Sequence, residues 1–393
     1  MIKNIEVRNF KSLKHVRVGL ALRNVLVGPN MSGKSNLIDV FRLLNRMLTP
    51  APGTYGLPNA LQSMGGFLEL IWKGGDTNLI SIRLEGDLPI DSGLENAGTW
   101  EYQISVLGDQ RGWATVQDEA LLVSRRGDAQ SLIGKDSTGY RVLRNADGKV
   151  RTQMTDPSRS ALEYEIPDWE GNAVRNLIAS WRFYGLIPGL MKQANPSAAA
   201  RFLTEHGDNL SSWLMTIQTT HRELFDKITR VASDVFPDLE SIFTIPTQQA
   251  TVFVASRERH LKQPIGVWQM SDGQLVFVAL LSLIFGPSEH RDGLYCIEEP
   301  ENHLHPRLLE TLVELLKQLQ DELRPEERGQ IIISTHSPHL VDKFDLDEII
   351  VAERSEGATV LTRPSNKTHL RELLERQEVG LGELFYSGAL GSV

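Results

Sequence analysis

The octapeptide Gly28-Pro-Asn-Met-Ser-Gly-Lys-Ser35 fits G-x-x-x-x-G-K-[ST] at every fixed position. These residue types suit one task, the holding of phosphate. Gly28 and Gly33 let the backbone N–H groups around Asn30 and Ser32 curl about phosphate oxygens. Lys34 would reach the β- and γ-phosphates, and the Ser35 hydroxyl would ligate Mg²⁺. Asn36 opens the following helix, whose N-terminus adds partial positive charge. The flanks agree with this reading. Asn24-Val-Leu-Val27 is a short apolar strand stopped by Gly28. Leu37, Val40, Phe41, Leu44 and Met47 then recur at spacings of three and four, which predicts a helix over Asn36–Leu48.

Three further segments carry chemistry. Leu294-Tyr-Cys-Ile-Glu-Glu299 is an apolar strand ending in two acids. Glu298 would hold Mg²⁺ through water, and Glu299 would polarise an attacking water as general base. Ser271-Asp-Gly-Gln274 precedes an apolar helix. Ser271 is a natural N-cap, and the amides around Gly273 would meet a γ-phosphate. Gln330-Ile-Ile-Ile-Ser-Thr-His336 is a buried strand ending in a histidine. Alone, each has a plainer reading: a solvated acidic loop, a simple helix cap, a structural histidine. His303 and His305, with Cys296 and Glu301 nearby, would suit a metal, but the loop after the two acids accounts for them better.

These residues need elements to position them. Residues 1–48 read as strands, the phosphate loop and its helix. Residues 65–166 change to a period of two, as in Trp100, Tyr102, Ile104 and Val106, which predicts an antiparallel β lobe. Residues 172–240 read as a helical lobe, with Leu210, Trp213, Leu214 and Ile217 on one face. Residues 250–366 alternate helix and strand, including a long helix from Pro306 and a hairpin at Glu348–Thr362. Residues 367–393 hold a charged helix over His369–Gln377 and a Gly-rich tail.

Composition bounds the function. The chain has 41 Lys and Arg against 50 Asp and Glu, a net charge of −9, which excludes a strongly basic nucleic-acid coat protein. It leaves room for a local basic groove. Lys11, Lys14, His15 and Arg17 form one basic cluster, and Arg257, Arg259, His260 and Lys262 form another. They are solvated surface, DNA-backbone contacts or groups near a nucleotide. The single cysteine, Cys296, excludes an internal disulfide. No apolar run reaches the roughly 18 residues of a membrane span, and no signal-peptide core is present. The expectation is a cytoplasmic protein without membrane contact.

The ordered set of segments resembles the ABC-class ATPase heads, and within them the RecF/OLD-like branch related to SMC proteins. Phe10-Lys-Ser-Leu13 resembles that branch's N-terminal phrase. Gly28–Ser35 resembles its Walker A, Ser271–Gln274 its shortened signature, and Glu298–Pro306 its Walker B and D-loop, with Glu298 where many relatives carry Asp. Ser334–Ser337 resembles its switch-histidine strand. The resemblance implies an α/β fold: a P-loop NTPase head of ABC type with an inserted antiparallel β lobe and a helical lobe. It implies ATP and Mg²⁺ as ligands. It also implies a homodimer in which Lys34, Ser35, Glu298, Glu299 and His336 act from one chain, and Ser271 and Gly273 from its partner. Gln62 is the best-placed residue for the Q-loop. Val393 follows His336 too soon for the TOPRIM nuclease domain of OLD enzymes. The expected partners are DNA or a separately encoded effector. The alternative is an ATP-dependent scaffold with little turnover. The β lobe argues against a membrane transporter's nucleotide-binding subunit.

Overall fold

The computed structural model describes residues 1–50, 53–88, 98–125, 128–287, 293–324, 328–364, 370–372, 374, 380–387 and 390. The chain begins with a hairpin, β1 (Ile2–Phe10) and β2 (Leu13–Gly19). β3 (Arg23–Val27) leads through the phosphate loop into α1 (Lys34–Leu48). Short helices α2 (Gly56–Ser63) and α3 (Phe67–Leu70) follow. Six strands come next: β4 (Leu79–Asp87), β5 (Thr99–Gly108), β6 (Ala114–Arg125), β7 (Asp128–Lys135), β8 (Arg141–Arg144) and β9 (Val150–Gln153). Then come α4 (Asn172–Ala179), β10 (Arg182–Tyr184), α5 (Pro188–Met191), β11 (Asn195–Pro196), α6 (Leu210–Thr220) and α7 (Arg222–Val235). β12 (Leu239–Pro246), β13 (Thr251–Glu258) and β14 (Ile265–Gly266) precede α8 (Asp272–Ile284). The chain continues through β15 (Leu294–Glu298), α9 (Pro306–Glu322), β16 (Gln330–Thr335) and α10 (Pro338–Val341). It closes with β17 (Ile349–Ser355), β18 (Ala358–Thr362) and α11 (Leu381–Tyr386).

Three sheets result. The central sheet runs β10-β15-β16-β3-β17-β18 and is parallel except for its last pair. Its inner strands are apolar on both faces, as buried parallel strands must be. All six residues of β16 are buried. On β3, Leu26 enters one core while Val25 and Val27 enter the other. The second sheet has eight antiparallel strands, β2-β1-β4-β5-β6-β7-β8-β9. β4 alternates fully buried and half-buried positions, so one face meets the core. That core is shared with α1, whose Leu37, Phe41 and Leu44 pack between the two sheets. A third, small sheet joins β11, β13, β12 and β14. On the far face of the central sheet, α6, α8 and α9 bury Leu214, Phe277 and Leu309.

The fold differs from expectation at two places. The antiparallel sheet is not confined to residues 65–166, because the β1–β2 hairpin is its edge. The stretch 172–240 is not wholly helical, because β10 pairs in parallel with β15 as the edge of the central sheet. The short, half-polar run of β10 gave no period-two signal. The helix expected over His369–Gln377 falls largely outside the described residues.

Candidate nucleotide site

The phosphate loop sits at the C-terminal end of β3. Gly33 has φ +99, a left-handed conformation that favours glycine. A Cβ there would run into Thr359 Oγ1 and Ser12 Oγ, and one at Gly28 into the Ala352 carbonyl. The loop is therefore gripped from two sides. Thr359 Oγ1 donates to the Ser32 carbonyl at 2.8 Å and lies 2.6 Å from Ser12 Oγ. Asn36 Nδ2 donates to Ser12 Oγ at 2.6 Å, and Thr359 N donates to the Ser12 carbonyl at 2.8 Å. Ser12 belongs to the tight β1–β2 turn, so Phe10-Lys-Ser-Leu13 acts here as a clamp.

Lys34 is 5 % exposed, and its Nζ donates to the carbonyls of Gly28 at 2.7 Å and Pro29 at 3.0 Å. Burial lowers its pKa, while Glu299 and Glu301 oppose that shift. The Ser32 hydroxyl is buried without a hydrogen-bond partner among the described residues. A buried hydroxyl inside a cradle that a Cβ would fill fits a phosphate group. Ser35 is exposed to the same cleft of about 620 Å³, with Asn30 and Asn36.

The two acids point to different neighbours. Glu299 lines the cleft with Lys34. Its φ of +45 is left-handed, which costs a non-glycine residue roughly 1–2 kcal/mol. Its N–H donates to the Ser334 carbonyl at 2.9 Å, and its side chain accepts from Asn302 at 3.1 Å. Glu298 instead accepts from Arg42 Nη2 at 2.6 Å. Arg42 also pairs with Asp39, and with Glu205 at 2.8 Å. Burial opposes the Arg42 charge, yet Glu205, Glu298 and Asp39 together raise its pKa. The Ser35 hydroxyl faces the cleft and fits the Mg²⁺ role as it stands. Glu298 does not line that cleft, and its carboxylate is turned to Arg42, so it would reach a metal there only through water.

His336 lies beside Glu299, its Nδ1 3.8 Å from Glu299 Oε1 and 3.3 Å from Glu301 Oε1. Glu301 orients this corner. It accepts from Thr335 Oγ1 at 2.6 Å and from the His336 N–H at 2.9 Å.

Ser271 and Gly273 do not line the cleft of their own chain. Ser271 caps α8 in a reciprocal box: its Oγ accepts from Gln274 N at 3.2 Å, and Gln274 Oε1 accepts from Ser271 N at 3.1 Å. A Cβ on Gly273 would lie 3.1 Å from the His303 carbonyl. The signature turn and the loop after Glu299 thus form one surface.

Gln62 is not brought to the cleft. It is exposed on α2 and does not line it. Trp72 and Lys73 form that wall instead, with Lys11 and Arg354. Of the two basic clusters, only Lys11 reaches the cleft, where it pairs with Asp39. Sequence reasoning missed Arg42, Thr359 and Trp72, and it named Glu301 only as a neighbour of the two histidines, not as the group that orients His336. Arg42 had a faint signal, a charge set directly after Phe41 in the apolar face of α1.

A family model described as "AAA domain, putative AbiEii toxin, Type IV TA system" matches residues 23–342, from β3 to the residue after α10. The chain belongs to this family. It is similar to the OLD nuclease of Thermus scotoductus, with 22% identity over 391 residues, which cover 97% of this chain and 68% of that protein. It is similar to the Septu protein PtuA of Bacillus thuringiensis over 72 residues at 35% identity, which cover 18% of this chain and 17% of that protein. The fold is that of an ABC-type P-loop ATPase head, related to the SMC heads. The crystal structure of an Smc head bound to the C-winged helix domain of ScpA matches with a TM-score of 0.53 and 16% identity, covering 94% of this family member and 99% of that chain. An Smc head with an extended coiled coil, bound to the C-terminal domain of ScpA from Pyrococcus furiosus, matches with a TM-score of 0.53 and 12% identity, covering 96% and 99%. Among the described residues, no helix is long and apolar enough to cross a membrane.

Proposed function

We propose that this family member binds and hydrolyses ATP with Mg²⁺ and closes with a second copy around the nucleotide. Closure would gate DNA binding or a separately encoded effector, such as a nuclease, in DNA repair or anti-phage defence. One observation carries the reading. Lys34, Ser35 and Glu299 share a cleft, while Ser271 and Gly273 of the same chain stand outside it on a common surface with the loop after Glu299. Such an arrangement supports the reading of a half-site, which a second copy would complete.

Lys34 would leave the Gly28 and Pro29 carbonyls for the β- and γ-phosphates. Ser35 and Glu298 would hold Mg²⁺, which neutralises phosphate charge when bound. Glu299 would take the proton of the attacking water, and His336 would orient that water or the terminal phosphate. Ser271 and the amide of Gly273 would cap the γ-phosphate from the partner copy. Because that phosphate bridges two copies, its cleavage would release them. The Arg42–Glu298 pair favours a second reading, a scaffold that assembles on ATP with little turnover.

Size-exclusion chromatography with light scattering on Glu299→Gln protein tests the switch. Mg-ATP should shift the mass to a dimer, and Ser271→Arg should abolish the shift. A mass that never changes would remove the trans roles of Ser271 and Gly273. Single-turnover hydrolysis then separates the two readings. A rate unchanged by Glu299→Gln would exclude the general-base role.

A further inference from the structure

A second pocket, of about 210 Å³, lies at the edge of the central sheet. Arg182 of β10 and Arg201 share it. Arg182 is half-buried. Its Nη1 donates to the carbonyls of Ala179 at 3.2 Å and Trp181 at 3.0 Å, which ties the end of α4. Its Nε is buried without a partner. Burial lowers its pKa and the nearby Arg201 charge lowers it further, with only Tyr184 and Tyr295 opposing.

Several other well-covered arginines face acids, although among the described residues Arg363 is held only by carbonyls and the Asn24 amide. Arg42 has three carboxylates, Arg141 has Glu119, Arg23 has Glu348, and Arg159 has Glu163. Neither Arg182 nor Arg201 forms an ion pair with any described residue. Arg182 rests instead on the Phe202 ring, 4.2 Å from its centroid, and that ring is 42% exposed. Two neighbouring guanidinium groups in a concave site, with no acid between them among the described residues, repel each other unless an anion joins them. Their planar forks match phosphate oxygens. Phe202, Leu283 and Tyr295 supply apolar surface beside them.

We propose that this pocket binds a small phosphate-bearing molecule, held by Arg182 and Arg201 and covered on its apolar side by Phe202 and Tyr295. The site is separate from the phosphate loop, and the inference does not depend on the nucleotide reading there. A pocket of this size and curvature suits a free molecule better than a polymer backbone.

Isothermal titration of inorganic phosphate, and then of AMP, into Lys34→Ala protein in chloride buffer tests it. That background removes the lysine of the first phosphate site. Both probes should bind saturably, AMP more tightly because of the apolar wall. Arg201→Gln should weaken both at least about tenfold, the scale of one charge-assisted hydrogen bond. Arg182→Gln should abolish binding. Arg201 is exposed, so its variant decides the matter even where Arg182→Gln fails to fold. No saturable binding of either probe, or binding that Arg201→Gln leaves intact, overturns the proposal. Binding of a 5′-phosphorylated oligonucleotide by protein that takes up neither phosphate nor AMP overturns the small-molecule assignment.

Discussion

At the residue scale, the two acids of β15 have unequal surroundings. Glu298 is tied to Arg42, and Arg42 is tied to Asp39 and Glu205. Removing the cation leaves three carboxylates without their common partner. Arg42→Met should therefore destabilise the fold by about 3 kcal/mol, the low end for breaking a buried pair. A fall in the urea midpoint with an unchanged m-value would register it. Lys34 makes a pH prediction. Burial holds its folded pKa below the ordinary 10.5. Between the folded and ordinary values the unfolded chain binds more protons, so nucleotide-free stability rises with pH across that window. The contribution is complete above 10.5 and lost as pH falls through the folded value. Lys34→Met should flatten this slope in a series of thermal melts. The phosphate loop and the two acids were legible in sequence because each is a contiguous run whose spacing is set by local backbone chemistry. Arg42 and the contacts of Glu301 to Thr335 and His336 were not, because their partners lie on other elements.

At the element scale, the large antiparallel sheet is fastened by one buried carboxylate. Glu119 on β6 has a fully buried side chain and accepts from Tyr102 Oη at 2.9 Å, Ser160 Oγ at 2.5 Å, Ala161 N at 2.7 Å and Arg141 Nη1 at 2.8 Å. It joins β5, β6 and β8 to the turn that leads towards α4. Glu119→Ala would leave Arg141 buried and uncompensated, and should cost about 3–5 kcal/mol. The melting temperature should fall while ATP affinity of the remaining folded protein stays within twofold or so, since no residue of this cluster lines the nucleotide cleft. The period-two runs made most of this sheet legible. Its extent was not, because pairing of β1 with β4 joins residues that nothing local connects. β10 was hidden for the converse reason. It is three residues long and is a strand only because β15 lies beside it.

At the scale of the whole molecule, each half of the motif set reports on the other. The Walker A strand β3 stands between β16 and β17, which come from the far end of the chain. The order of motifs made the ABC-type head legible. The clamp on the phosphate loop was not, since Ser12 of the Phe10–Leu13 phrase and Thr359 are distant in sequence and nothing local pairs them. That clamp has a consequence for the chain as it is made. A ribosome delivers residues in order, and early parts fold before late ones exist. The phosphate loop is complete in sequence by Ser35, yet its grip on Ser32 needs Thr359. Nascent chains stalled before residue 359 should fail to retain an ATP analogue, while chains stalled after α11 has cleared the exit tunnel should retain it. Retention by the shorter chains would show that β18 is dispensable to the loop. With the clamp required, nucleotide uptake becomes a late event of synthesis, and under the proposed function an unfinished copy would be kept from closing with a finished one around ATP.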